Sequence, residues 1–212
     1  MKHYFKFRSL QNPEEKERVR DIINNQHLYC SQFDKLNDPM EGFYSTKPQY
    51  GNFIENLKER KERELICSLS KYCNSVQMWA FYADGGKGCC IDISPIKKET
   101  KNLRTIKYKN SLPEIENPAN IQNIRCLLTH KSTLWKWEHE CRLFKTSNST
   151  EDNSYIECIV HGIIFGYNMT SKEIRDFKQD ITNTKIYTRQ ITKNDLYYGF
   201  ENIGKELLTQ LT

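Results

Sequence analysis

The segment Trp135–Phe144 holds the pair of residues best suited to chemistry, Glu138 and Glu140, which are separated by one residue. On a β-strand alternate side chains share a face, so Glu138, Glu140 and Arg142 would point the same way. The two carboxylates would then lie about 7 Å apart. Such a pair could bind two sugar hydroxyls, or place a general base beside an electrostatic clamp. An exposed strand face with solvated charges would explain the same spacing.

Other short motifs could contribute to the same site. Arg8 ends an aromatic-rich predicted strand, where its planar fork could pair with a buried carboxylate or bind a phosphate. Ser68 and Ser70 share one face of a later strand. Trp79 and Tyr82 belong to an aromatic-rich segment that could stack on a base or a nicotinamide ring. Each motif also has a structural explanation, namely an edge arginine, local hydrogen bonds or core packing.

Length and composition limit the class of protein. The chain has 212 residues, and no linker rich in Gly, Ser or Pro divides it, so we expect a single domain over residues 1–212. Its 10 Phe, 12 Tyr and 3 Trp argue against global disorder. The sequence contains no apolar stretch that would span a bilayer, and the N-terminus lacks the apolar core of a secretory signal. We therefore expect a cytoplasmic protein that does not contact membranes.

Charge and cysteine usage give weaker limits. The formal net charge of +5 permits contact with phosphates but does not require it. The eight cysteines include no C-x-x-C pair, and no histidine has zinc-finger spacing from a cysteine pair. We therefore expect the cysteines to be mostly buried small hydrophobic residues, and we expect no metal site.

Hydrophobic periodicity predicts an α+β fold with a mostly antiparallel sheet and interspersed helices. The predicted strands are His3–Arg8, Leu28–Cys30, Leu65–Leu69, Cys89–Ile93, Arg104–Tyr108, Glu138–Phe144, Tyr155–Phe165 and Lys185–Ile191. The predicted helices are 13–25, 52–63, 75–83, 121–128 and 171–180. The predicted loops are 110–119 and 147–154. The Asn-Asp-Pro sequence at 37–39 predicts a rigid turn, because a residue before proline avoids the helical region.

Several ordered motifs match a known family. They are Leu36–Glu41, Met78–Trp79 with Tyr82–Asp84 and Lys87–Gly88, and Lys131 with Trp135, Trp137–Glu138, Glu140 and Arg142. On these motifs the chain resembles the bacterial domain-of-unknown-function family 2971 over about residues 3–190. Tyr4–Arg8 and Ile164–Gly166 agree with the two ends of that family, whereas Met40 and Phe81 depart from its usual residues. This resemblance implies no activity.

A second resemblance does imply one. The chain contains Phe7-Arg8, Ser68-Leu69-Ser70 and Glu138-His139-Glu140 in that order. It is similar in this to bacterial ADP-ribosyltransferases of the arginine–serine–glutamate type, which carry an aromatic-Arg, a Ser-Thr-Ser and a Glu-x-Glu motif. Leu69 departs from the central threonine of that pattern. The resemblance implies an ADP-ribosyltransferase-like fold and a NAD-dependent ADP-ribosyltransferase or NAD glycohydrolase, with NAD as substrate and without a metal.

The same resemblance implies a role for each matching residue. Arg8 would bind the pyrophosphate of NAD, and Ser68 with Ser70 would support the nicotinamide pocket and the catalytic carboxylate. Glu140 would stabilise the oxocarbenium-like ribose through its 2'-hydroxyl. Glu138 would orient or deprotonate the acceptor.

These roles predict a geometry. Arg8, Ser68 and Glu140 should line one pocket from adjacent strands and from the same face of the sheet, with Trp79 or Tyr82 as a wall that stacks on nicotinamide. Arg8 and Glu140 on opposite faces of the sheet would exclude NAD as the ligand of this site. The acceptor stays open between a protein side chain, a nucleic-acid base, a small molecule and water. A role as a defence effector or a toxin would further imply a cognate antitoxin or a defence-system partner.

Two other functions also fit the residues. One is a non-catalytic module that binds a nucleotide or a partner in the aromatic groove. The other is a metal-dependent nuclease that uses carboxylates for Mg²⁺. Those carboxylates would be Asp38, Glu41, Asp92, Glu138 and Glu140. Against the nuclease, the chain has no Asp…Glu-x-Lys pattern, because the residue two positions after Glu140 is Arg142 and not a lysine.

Overall fold

The computed structural model describes residues 1–46, 51–115, 124–147 and 154–197, with the side chains of 51–53 left aside. The protein combines several helices with a large, mainly antiparallel sheet, as predicted. Its strands are β1 (Tyr4–Arg8), β2 (His27–Tyr29), β3 (Ser31–Gln32), β4 (Ser45–Thr46), β5 (Glu64–Ser70), β6 (Cys89–Pro95), β7 (Leu103–Thr105), β8 (Lys107–Tyr108), β9 (Glu114–Ile115), β10 (His130–Lys131), β11 (Glu140–Thr146), β12 (Tyr155–Phe165) and β13 (Tyr187–Gln190).

Its α-helices are α1 (Pro13–Asn25), α2 (Gly51–Glu62), α3 (Val76–Tyr82), α4 (Ser171–Lys178) and α5 (Lys193–Tyr197). Short 3-10 helices cover Phe33–Lys35, Asp84–Gly86, Lys97–Asn102, Ile124–Thr129 and Thr133–Glu138. Two helices begin with the caps that the sequence indicates: the Asn12 side chain accepts from the Glu15 amide before α1, and Thr170 with Glu173 forms a capping box before α4. Within the described residues, no helix has the length and apolar character needed to cross a membrane.

The large sheet has the strand order β13-β12-β6-β1-β5-β11-β7. Neighbouring strands are antiparallel except β12 and β13, which are parallel. β11 pairs with β5 along the whole length of β5. On the other edge of β5, β1 is paired at Ser70 and β3 at Leu65 and Ile66. The edge of β5 between Ile66 and Ser70 is therefore open, and the sheet is split at this point.

Helices cover both faces of the sheet. On one face, Val19 and Ile22 of α1 and Phe177 of α4 join a core with Cys67 and Ile91. On the other face, α3 and α5 pack over Phe5 and Phe7 of β1. Burial of these apolar side chains is the main favourable contribution to the packing of the helices on the two faces of the sheet.

The strands at 4–8, 64–70, 89–95 and 155–165 agree with the sequence prediction within about two residues, and β12 has a register shift between Val160 and Gly162. Two predictions need correction. Glu138 ends a 3-10 helix and is not part of a strand, and the single strand predicted at 104–108 is two strands, β7 and β8.

Three further predictions in the second half of the chain concern segments that the structure describes only in part. The predicted helix at 121–128 is a 3-10 helix over its described part, Ile124–Thr129. Residues 121–123, most of the predicted loop at 147–154 and residues 116–119 of the loop at 110–119 lie outside the described residues. Residues 114–115 of the latter loop form β9, which pairs with β4.

The Asn-Asp-Pro segment forms the predicted turn. Asp38 is buried, its side chain accepts from the Met40 amide at 3.0 Å, and its carbonyl accepts from the Glu41 amide at 3.1 Å. The carboxylate of Asp38 thus satisfies a backbone amide of its own turn. This turn delivers the side chain of Glu41 into the protein interior.

Candidate active site

A cleft of about 640 Å³ opens where the sheet splits between β1 and β5. Its volume lies in the usual range of small-molecule sites. β1 contributes its side chains to one wall, and β5 with β11 forms the opposite wall. Arg8, Ser68, Glu138 and Glu140 all line this one cleft. The strands that carry the three motifs, β1, β5 and β11, are consecutive in the sheet.

A chain of buried ionic groups forms one end of the cleft, which we call the carboxylate end. The guanidinium of Arg142 donates to both oxygens of Glu41 at 2.6 Å. It also donates through Nε to Oε1 of Glu140 at 2.7 Å and through Nη2 to Oε2 at 3.1 Å. The Arg142 side chain is fully buried. This arrangement fixes Glu140 from β11 and Glu41 from the turn around one guanidinium.

Lys131 continues this chain towards the cleft. Its ammonium donates to Oε2 of Glu138 and, at 3.3 Å, to Oε2 of Glu140. The other oxygen of Glu138 accepts from the Tyr82 hydroxyl at 2.6 Å. Three carboxylates and two cations therefore meet here. With all five ionised the cluster carries one net negative charge.

A local helix and a left-handed residue bring Glu138 beside Glu140. Ser132 caps the 3-10 helix Thr133–Glu138 by accepting from the Leu134 amide, and His139 ends it with φ of 47°. The Ser70 hydroxyl donates to the Glu138 carbonyl at 2.8 Å. The convergence of Glu138 and Glu140 thus comes from a turn, and the alternation of a strand is not its cause.

The two glutamates differ in their acid–base properties. Burial raises the pKa of Glu138 above its ordinary value, against the opposing effect of Lys131. Burial also acts to raise the pKa of Glu140, but Arg142 and Lys131 outweigh it and hold the pKa at about 2. Glu140 is therefore an ionised anchor at neutral pH, whereas Glu138 is the better proton acceptor.

Away from this cluster the cleft is lined by Lys6, Arg8 and Arg18, together with Asp21, and we call this part the cationic end. The Lys6 ammonium crosses the split and donates to the Ser68 carbonyl at 2.8 Å. Burial lowers the pKa of Lys6. The Nε atom of Arg8 is buried and has no hydrogen-bond partner among the described residues.

A close backbone contact fixes the end of β1 at this position. A Cβ atom at Gly88 would lie 2.3 Å from the Arg8 carbonyl oxygen, so only glycine allows the approach. The Arg8 backbone is thereby held against the loop that follows α3.

The two ends reach the cleft from opposite faces of the sheet. Phe5 pairs with Ser70 and Ser70 with Glu140, so these side chains share a face. Arg8 is three positions after Phe5 and points to the other face. The prediction that Arg8 and Glu140 share a face is therefore wrong. The expectation that opposite faces exclude NAD assumed an unbroken sheet. The split between β1 and β5 was not anticipated, and it places both residues on the lining of one cleft.

The remaining predicted site residues are distributed unevenly. Tyr82, Ser68 and Ser70 line the cleft. Trp79 does not form a wall of the cleft, and its assignment as a residue that stacks on nicotinamide is wrong. Its ring is fully buried, and its indole nitrogen donates to the Cys73 carbonyl at 2.7 Å. Ser68 supports the carboxylate of Glu140 through its hydroxyl.

Sequence reasoning assigned no site role to Lys6 or Lys131. The alternation of Lys6 with Arg8 on β1 was the available signal for Lys6. Lys131 was visible only as part of a family motif, because its contacts with Glu138 and Glu140 require the turn at His139.

Neither the family models, the curated proteins nor the solved structures give a significant match to this chain. Within the described ranges, no group of three His, Cys, Asp or Glu side chains is arranged to hold a metal ion. At the carboxylate end a divalent cation would have to compete with Lys131 or Arg142 for each glutamate.

Proposed function

We propose that this protein cleaves the bond between nicotinamide and ribose in NAD and transfers ADP-ribose to an acceptor. One observation carries the proposal: the Phe7-Arg8, Ser68-x-Ser70 and Glu138-x-Glu140 motifs frame a single cleft with cations at one end and carboxylates at the other. NAD has the complementary charges, an anionic pyrophosphate and a ribose that becomes positive during cleavage. The proposal includes an ADP-ribosyltransferase-like fold, supported by the adjacency of β1, β5 and β11.

The cationic end would bind the pyrophosphate. Arg8 has a buried Nε without a partner among the described residues, and a phosphate oxygen would satisfy it. Arg18 and Lys6 line the same part of the cleft and add positive charge. Charge-assisted hydrogen bonds from arginine to phosphate are among the stronger polar interactions, and they fix the orientation of the ligand.

The carboxylate end would act on the ribose. Glu140 already accepts two bonds from Arg142 and one from Lys131, which occupies most of its acceptor positions. Glu140 therefore acts through its charge and positions its neighbours. Glu138 accepts from Tyr82 and Lys131 and keeps acceptor capacity for a ligand hydroxyl or an acceptor proton.

The reaction follows from this division of roles. The bond between C1' and the nicotinamide nitrogen breaks, and its electron pair leaves on nicotinamide. The net negative charge of the cluster stabilises the positive charge that develops at C1'. The acceptor nucleophile then bonds to C1', and its proton passes to Glu138. Water as acceptor would make the protein a NAD glycohydrolase.

The test is nicotinamide release from NAD by the wild type and by Glu138→Gln. We expect the variant to fold and its kcat to fall by about 10²–10³-fold, the usual effect of losing one preorganised electrostatic group. Glu157→Gln is the matched control, because Glu157 lies on the exposed part of β12 and pairs with Lys98. Equal rates for wild type and Glu138→Gln, or no release by the wild type with protein, nucleic acid or water as acceptor, would contradict the proposal.

A nucleotide-binding module without catalysis is the second candidate. The observation that favours it is that Arg142 and Lys131 already occupy most acceptor positions of Glu140. Calorimetry separates the two functions: a module binds NAD and returns it unchanged, whereas the proposed enzyme releases nicotinamide during the titration.

A further inference from the structure

Three aromatic rings stand in a row beside the carboxylate end of the cleft. The ring centroids of Phe81 and Trp137 are 5.5 Å apart, and those of Trp137 and Trp135 are 5.9 Å apart, with interplanar angles of 36° and 37°. Phe81 is 72% exposed, and the two tryptophans are half-buried. We call this row the aromatic ladder. Contiguous exposed apolar surface of this kind marks an interaction site.

The aromatic ladder is joined directly to the groups proposed to react. Trp137 precedes Glu138 in the chain, and its ring centroid is 6.3 Å from that of Tyr82, whose hydroxyl donates to Glu138. At the other end of the row, the Lys131 ammonium is 4.6 Å from the centroid of Trp135. A molecule bound on the ladder would therefore be separated from the buried Glu138 by Trp137 and Tyr82.

One of the two elements that carry the ladder, and β8 beside it, expose lysines. α3 contains no charged residue, and the 3-10 helix Thr133–Glu138 exposes Lys136 while its glutamate is buried. β8 packs against that helix and exposes Lys107. Burial, then Lys71 and Lys136, lower the pKa of His139. Lys136 lies between Trp135 and Trp137 in the chain, so at least one exposed cation accompanies the rings.

Rings for stacking and cations for phosphates form the combination that binds single-stranded nucleic acids. A duplex hides its base faces, and an apolar protein partner would not call for the lysines. The ring centroids are closer than two base-stacking steps of about 3.4 Å each, so a base would stack on the open face of Phe81 and would not enter between the rings.

We propose that the aromatic ladder binds a single-stranded nucleic acid, and that a nucleotide of this strand is the acceptor for ADP-ribose. The second part rests on the proposed function of the cleft. A nitrogen or oxygen of the bound nucleotide forms the bond to C1' of the ribose as nicotinamide leaves with the electrons of the broken bond. The proton of the acceptor passes to Glu138.

Binding is tested without NAD, by the fluorescence anisotropy of labelled single-stranded DNA and RNA of about 12 nucleotides. We expect wild-type binding that weakens as salt increases, since bound phosphates release counterions. Phe81→Ala should weaken binding at least about tenfold, which corresponds to about 1.4 kcal/mol. Lys136→Gln should reduce the slope of log affinity against log salt by about one.

Two matched controls isolate the ladder. Val76→Ala removes an exposed apolar side chain from the same helix, α3, and Lys172→Gln removes a lysine from α4 on another part of the surface. Neither should change binding. Absence of binding at low salt, tighter binding of a duplex, or equal binding by wild type and Phe81→Ala would overturn the proposal. The proposal would also be overturned if the oligonucleotides did not bind and a protein partner bound in a way that depends on Phe81.

A second measurement follows label from NAD, carried in its adenylate phosphate, into the strand. We expect the strand to be labelled and the ratio of labelled strand to released nicotinamide to fall in Phe81→Ala. Nicotinamide release without label in DNA or RNA overturns the acceptor assignment and leaves the proposed function standing. Oligonucleotide binding without any nicotinamide release overturns the proposed function and leaves the nucleic-acid surface standing.

Discussion

The two ends of the cleft differ in how completely their polar groups are satisfied. At the carboxylate end, Arg142 makes its hydrogen bonds to Glu41, Glu140 and the Leu128 carbonyl within a fully buried network. At the cationic end, Arg8 has a buried Nε without a partner in the part of the chain that the structure describes. The protein itself supplies the hydrogen-bond acceptors of Arg142, whereas the Nε atom of Arg8 is available to a ligand.

This difference separates two tasks that charged residues perform. A saturated network holds its charges in place before any ligand arrives, which is the condition for electrostatic stabilisation of a reacting group. An incomplete site gains its missing hydrogen bonds when a ligand binds, so its energy appears as affinity. Variants at the first end should alter stability most, and variants at the second end should alter binding.

The largest effect is expected from Arg142→Met. This change leaves Glu41 and Glu140 buried without their guanidinium, and breaking a buried ionic network usually costs about 3–5 kcal/mol. Urea unfolding of wild type and variant gives the free energy of unfolding. Arg18→Met is the control, because the Arg18 side chain is 65% exposed and pairs with Glu14 on the helix surface. Equal small losses in the two variants would mean that the network is not structural.

Arg8→Met should have a smaller effect, and the effect should be on ligand binding and not on stability. The variant keeps the apolar stem and loses the guanidinium, so the free energy of unfolding should change little. Affinity for NAD should fall by about 10- to 100-fold, because a hydrogen bond between charged groups contributes about 1.5–3 kcal/mol. Isothermal titration with NAD measures this loss when both proteins also carry Glu138→Gln, which keeps turnover slow, and Arg175→Met on the exposed face of α4 is the control. Unchanged NAD affinity in Arg8→Met would show that the cationic end does not hold the ligand.

The smallest expected effect is that of Tyr82→Phe, which removes one hydrogen bond to Glu138. That bond lowers the pKa of Glu138, so its loss should raise this pKa. Glu138 must be ionised to accept a proton, and nicotinamide release therefore declines as pH falls through its pKa. The acid limb of the pH–rate profile should move to higher pH by about half to one unit. A shift to lower pH would contradict the role given to Glu138.

Sequence alone was sufficient for the elements that frame the cleft. The alternation of aromatic and basic residues predicted β1, and the alternation in β11 predicted that Cys141 and Leu143 point into a core, because a half-buried strand has a period of two. The structure adds that Phe5 and Phe7 belong to a second core on the other face. The caps at Asn12 and Thr170 were readable because capping depends on local hydrogen bonds.

The details of the site were not accessible in this way. Local propensity does not indicate that His139 adopts a left-handed conformation, which turns Glu138 out of the strand and towards Lys131. The split beside Ser68 depends on where β1 and β3 stop pairing with β5, a tertiary property with no local signal. The opposite directions of Arg8 and Glu140 follow from that same register.

The most direct test of the account is a crystal structure of Glu138→Gln with NAD bound, since this variant should keep the cleft and turn over slowly. We expect the dinucleotide to pass through the split between β1 and β5, with its pyrophosphate on Arg8 and its nicotinamide ribose beside residue 138. NAD bound outside the split, or bound with its pyrophosphate at the carboxylate end, would contradict the claim that the two faces of the sheet share one ligand.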